Sequence, residues 1–237
     1  MKYLKKFNFR DQDTKFLFIL LSGDLFYFLL FLTSKAARFL DIGTSIRSPA
    51  FELTRDLGLP ESYQYVKEFW IVILLFWFIY KTKTYQFVSW AFLYAYLLAD
   101  DMLKIHEDMS SYLITKLGFI SEQRLFQEFR YQDIGEFSIS SLAGIFFLII
   151  ILFSYYKANQ EQRKIFRQMT GLFLALVFFG VFIDMIDQLI PSTAPKLEVF
   201  LVDTIEDGGE MLVMSITCWY VYTLIDPIIV NTSQDRS

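Results

Sequence analysis

Cysteine and histidine each occur once in the 237 residues, and these two scarcities exclude more chemistry than any other feature of the chain. Cys218, alone and inside an apolar block, forms no intramolecular disulfide and excludes thiolate metal clusters. His106, also alone, rules out the usual dinuclear carboxylate centre, which draws Glu-x-x-His from two helices. It is thin support for haem or for a histidine-rich zinc hydrolase. Clustered basic residues interleaved with aromatics are missing too, which sets nucleic acid aside as a partner. The N-terminal stretch lacks the marks of a cleavable signal. Asp11 and Asp13 lie in its polar region, Asp24 interrupts its apolar run, and no small-x-small site follows.

Apolar residues are what the chain has in abundance, at 54% hydrophobic and 19% aromatic against 20% charged. They come in blocks long enough to cross hydrocarbon, for which about 20 helical residues are needed. A helix that is apolar all round belongs in a large core or in lipid, and the polar remainder is too small to cover six such helices. The expected fold is all-α: a polytopic membrane bundle of about six spans, at 16–33, 61–80, 87–107, 137–156, 169–190 and 199–225. A basic cytoplasmic arm (1–15) precedes this single transmembrane domain (16–225), and a polar tail (226–237) follows it. Part of the polar stretch before the second span, Phe51 to Leu57, reads as a short surface helix. The connection from Ser110 to Glu136 reads as the longest outer loop, charged and amphipathic.

With the N-terminus inside, twelve of the 22 basic residues fall in short cytoplasmic segments, which favours an N-in/C-in orientation. The expected location is a multi-pass position in a bacterial-type inner or plasma membrane. A weak two-helix repeat is suggested by Glu68-Phe69-Trp70 and Glu136-Phe137-Ser138. Each opens a span that ends in Tyr-Lys, and the next span ends in paired acids. The partners implied are the lipid bilayer and an inorganic cation or proton, with homo-oligomerisation left open.

The carboxylates carry the functional signal. Counting about 1.5 Å per residue from each basic inner end through a core of about 30 Å places acids of four spans at similar depth, below the outer face. Asp100 and Asp101 lie roughly 10 Å inside, with His106 and Glu107 at the edge. Asp184 and Glu210 are also inside, Asp187 and Glu206 mark the boundary, and Glu68 is submerged. Asp203, Glu206 or Asp207, and Glu210 share a helix face, as do Asp184 and Asp187. Gly208-Gly209 allows close approach beside Glu210.

An ionised carboxylate facing lipid costs about 2.5–3.5 kcal/mol even on lenient scales. The acids must therefore be protonated, pair with Lys67, Lys104 or outer arginines, or bind a cation. The expected metal ligands are Asp100, Asp101, His106, Glu107, Asp184, Asp187, Glu206 and Glu210, with Asp24 and Glu68 on a pathway. Oxygen ligands favour calcium, magnesium or manganese, and zinc through His106 is the second choice.

The plain alternative is that some of these acids cap helix ends and meet water, above all Glu107, Asp108, Asp187 and Asp203. Asp24, near mid-membrane, reads equally as a lower station on a proton or ion path or as a protonated acid bonded to a neighbouring helix. Three functions fit: a cation or proton channel or transporter, a metal-dependent membrane hydrolase using His106 and carboxylates, and an ion-sensing or accessory subunit without transport. Enzymatic activity is the less favoured class, and no catalytic residue is assigned.

Overall fold

A computed structural model of the chain describes residues 12–43, 48–53, 55, 57–120, 130–190 and 195–234. Side chains are described for all of these except residues 187, 188, 196 and 226–234. The regular elements among the described residues are all helices, with no strand. The elements are α1 (Gln12–Phe39), α2 (Leu59–Thr82), α3 (Val88–Leu103), α4 (Ile105–Lys116), α5 (Tyr131–Lys157), α6 (Gln160–Val177), a π-helical turn (Phe178–Ile183), α7 (Asp184–Leu189) and α8 (Lys196–Gln234).

Local sequence explains most of the boundaries. Helix α2 starts with Pro60 in its first turn, where the missing N–H costs nothing, and stops at Lys83 in a left-handed conformation. At the head of α5, Asp133 accepts from the backbone N–H of Arg130 at 2.9 Å and from its guanidinium at 2.7 Å. Helix α6 opens on a capping box in which Asn159 and Gln162 exchange side-chain to backbone hydrogen bonds.

Between α3 and α4 the chain turns at Lys104, whose φ of 51° breaks the helix. Residues 105–116, which join the end of the expected third span to the start of the expected outer loop, therefore form a helix whose own N-terminus needs a cap. Helix α8 is a single helix from Lys196 to Gln234, longer than the expected span. Where a surface helix is expected at Phe51 to Leu57, the chain makes a short 3-10 turn over Pro49–Phe51. Residues 54 and 56 of that stretch lie outside those described.

Helices α2 and α8 are the centre of the bundle. Helix α3 packs along α2, α1 along α8, and α6 with the π turn completes the wall. The main core is aromatic and aliphatic, built from Ile71, Leu75, Phe87, Trp90, Tyr94, Phe166, Met169, Cys218 and Val221. Phe31 stacks on Phe200 at 5.7 Å in a second cluster that joins α1 to α8. Helix α5 stands apart, packed on α4 more extensively than on α3 or α6.

Among the described residues, four helical stretches are long and apolar enough to cross a bilayer: α1, α2, α5, and the run from Gln160 to Ile186. In α1 and α5 only 11% of the most apolar stretch is buried in the molecule. Leu25, Phe26, Ile145, Phe146, Ile149 and Phe153 all lie on the outside. An outer surface this apolar is far beyond what a water-soluble monomer carries.

Candidate functional site

Two polar centres lie inside the bundle. The first joins α1, α2 and α8. Lys67 has a fully buried side chain, and its ammonium donates to Asp24 Oδ1 at 2.9 Å, to the Met211 carbonyl at 2.8 Å and to Ser215 Oγ at 3.3 Å. Ser215 Oγ donates in turn to Asp24 Oδ2 at 2.6 Å, and the ammonium sits 4.9 Å from the centre of the Tyr63 ring. All three ammonium hydrogens thus have acceptors, as a buried charge requires. Asp24 is thus bonded to neighbouring helices, through Lys67 of α2 and Ser215 of α8, but as the partner of an ammonium rather than as a protonated acid.

The second centre is acidic and lies at one end of a cavity of about 980 Å³ between α2, α3, α5, α6 and α8. Glu68 of α2, Asp101 of α3 and Glu210 of α8 meet there. The Glu68 and Asp101 side chains are close neighbours, and both lie close enough to Glu210 to repel it. Two carboxyl groups in contact stay together only with a proton or a cation between them.

Gln64, one turn before Glu68 on the same face of α2, donates to Glu210 Oε2 at 3.4 Å. Tyr65 donates from its hydroxyl to the Asp101 carbonyl at 3.2 Å. Two buried acceptors remain without a protein donor, Glu68 Oε2 and Gln64 Oε1, and both residues line the cavity. Unpaired buried acceptors are costly and call for an occupant.

The π turn shapes this centre. It brings Gly180 so close to α8 that any side chain there would overlap the Glu210 carboxylate. At the neighbouring positions, a Cβ on Gly209 of α8 would overlap the Phe179 ring. A π insertion rotates the residues that follow it, and such turns are frequent at functional sites. Asp184, Glu206 and Asp207 add negative charge around Glu210 from α7 and α8.

Asp100 and His106 serve each other. Asp100 Oδ1 accepts from the backbone N–H of His106 at 2.9 Å, which caps the new helix α4, and Oδ2 lies 3.2 Å from the imidazole Nδ1. The carboxylate beside it raises the His106 pKa above its ordinary value, although burial opposes the shift. Glu107 is paired with Lys104 at 3.4 Å and lies off the cavity wall.

Of the residues expected to hold a metal, Asp100, Asp101, His106 and Glu210 line the cavity together with Glu68, whereas Glu107, Asp184 and Glu206 do not. The side chain of Asp187 lies outside those described. Among the described residues, no three His, Cys, Asp or Glu side chains are arranged to hold a metal ion.

Gln64, Glu61, Tyr65, Asp207 and Gly180 also line the cavity or shape it and are not among the expected site residues. Glu61 and Gln64 are legible in retrospect, because they precede Glu68 by seven and four residues on one helix face. Nothing in the sequence marks Gly180, since a π turn has no composition of its own.

The chain belongs to the family described as a domain of unknown function (DUF8692), whose model matches residues 25–225. Neither a curated protein nor a solved structure matches it.

Proposed function

We propose that the chain is a six-span, N-in/C-in membrane protein that takes a cation from the outer face into the pocket formed by Glu68, Asp101 and Glu210, in exchange with a proton, and transports it. The observation that carries this reading is the meeting of three carboxylates from three helices at one end of a large cavity, where among the described residues the nearest ammonium, that of Lys67, donates its hydrogens elsewhere. Lys67 is held by Asp24, Met211 and Ser215. Of the basic residues on the cavity wall, His106 faces Asp100, Arg167 stands toward the opposite end, and Arg55 is exposed. A cation or a proton is therefore what balances the pocket.

Two further spans complete the six. Helix α3 is short but continues the expected third span, and α8 is long enough to cross with residues to spare. The hydrolase reading gains no observation of its own.

Flux in proteoliposomes tests the proposal. With a pH-sensitive dye inside, an imposed gradient of a pocket-binding cation drives counter-movement of protons through the wild type. Glu210→Gln and the pair Glu68→Gln/Asp101→Asn abolish it. Equal dye signals from wild type, variants and empty liposomes would end the transport reading.

A further inference from the structure

The cavity is far larger than an ion needs. At about 980 Å³ it lies at the upper end of the range for organic ligands, and acids line only one end of it. Beyond them the wall becomes apolar and continues along α5 from Phe137 to Tyr155 and along α6 to Phe166. Phe137 and Tyr155 are eighteen residues apart, so the groove is roughly 27 Å long, nearly the thickness of a bilayer core. Its α5 and α6 walls carry Gly144 and Gly171. A Cβ on either would meet no atom within 4 Å, so the chain leaves space there that a side chain could have filled.

The acidic end has its own chemical signature. Glu68 is 1% exposed and Gln64 8% exposed, and each keeps one acceptor oxygen without a partner, Oε2 and Oε1 respectively. With the Glu210 carboxylate they offer three oxygens from α2 and α8, matching the three N–H donors of a primary ammonium. A quaternary ammonium has no donor and would leave these acceptors unpaired. Arg55, exposed and on the wall of the same cavity just ahead of α2, adds a positive charge for an anionic group.

We infer that the cation taken by this pocket is the primary ammonium of a bilayer aminophospholipid. Its headgroup nitrogen lies among Glu68, Gln64 and Glu210, its phosphate lies toward Arg55, and an acyl chain lies in the groove between α5 and α6. The inference rests on the cation-binding reading above and names the substrate class of the same pocket. Helix α5 touches α6 only sparsely, which leaves the groove a side opening through which a lipid enters from the bilayer.

The test uses the full chain in nanodiscs that contain phosphatidylethanolamine, phosphatidylcholine and phosphatidylglycerol with identical acyl chains. Lipid retained after extraction into detergent is counted by native mass spectrometry. Phosphatidylethanolamine should be retained about tenfold over the other two, the discrimination expected from one charge-assisted hydrogen bond. Glu68→Gln and Glu210→Gln should each erase the preference. Gly144→Leu and Gly171→Leu, made singly and checked for an unchanged melting temperature, should lower retention of all three lipids.

Equal retention of the three lipids by the wild type would overturn the inference. So would a preference that survives both carboxylate variants, or retention indifferent to both glycine variants. Ethylammonium, the headgroup cation without a tail, is titrated into the wild type in parallel. If it binds while the lipids are not distinguished, the lipid assignment alone falls. If neither ethylammonium nor a metal ion binds, the cation pocket falls with it.

Discussion

Asp24 and Lys67 lie on different helices, 43 residues apart, and each satisfies the other within an apolar bundle. Asp24→Ala leaves a buried ammonium with carbonyl and hydroxyl partners only, and removal of one member of such a pair costs about 3–5 kcal/mol. The expected outcome is a melting temperature well below wild type in nanodiscs. The double variant Asp24→Leu/Lys67→Met should recover most of the loss, because two apolar residues leave no charge unpaired.

His106 gives a second prediction at this scale, since one histidine makes its titration unambiguous. Asp100 raises its pKa, so the NMR midpoint should lie above about 6.5. The His106–Asp100 contact contributes stability that is fully present below about 6.5 and is lost as the pH rises through the raised folded value. Asp100→Asn should bring the midpoint down and flatten that part of the stability profile; a midpoint unmoved by the substitution would contradict the pairing. At residue scale the sequence is readable for type and depth but not for partners. Counting along each helix places Glu68, Asp101 and Glu210 at similar depth, whereas the choice of Asp24 for Lys67 depends on how α1 lies against α2 and α8.

Two local breaks in helicity position the acidic end. The left-handed Lys104 turns α3 into α4, so that Asp100 becomes the cap of a helix. The π turn at Phe178–Ile183 sets Gly180 against Glu210. Gly180→Ala should displace the Glu210 carboxylate and weaken cation binding about tenfold, roughly one charge-assisted hydrogen bond, with little change in helix content by circular dichroism.

Helix α4 is latched to α5 through another glycine. A Cβ at Gly135 would overlap Ser110 and come within 2.9 Å of the Ile114 side chain. Gly135→Leu should loosen that contact at a cost of about 1–3 kcal/mol and speed amide exchange along α4; exchange unchanged from wild type would deny the latch. Element type was legible wherever apolar periodicity ran long, as in α1, α2, α5 and the stretch from Gln160 to Ile186. The break at Lys104 and the π turn were not. Lys104 is an ordinary side chain in a left-handed conformation that tertiary packing imposes, and the one glycine of the π turn, Gly180, looks in sequence like any other glycine inside a helix.

Across the whole molecule, the bundle divides into a tightly packed part, α1, α2, α3 and α8, and a more loosely attached α5 that closes one side of the cavity. The apolar exterior faces outward on α1 and α5, while the bundle interior holds two polar centres, one built on an ion pair and one acidic. The ion-paired centre ties helices together; the acidic centre asks for a positive guest. The central claim is that Glu68, Asp101 and Glu210 form one cation site, and isothermal titration of the purified chain tests it most directly. Calcium, magnesium, manganese, zinc and ethylammonium are titrated in turn into wild type, Glu68→Gln, Asp101→Asn and Glu210→Gln. The account predicts saturable binding of at least one cation by the wild type, weakened at least tenfold by each of the three substitutions, as loss of a charged ligand requires. Binding that is absent from the wild type, or that survives all three substitutions, would contradict it.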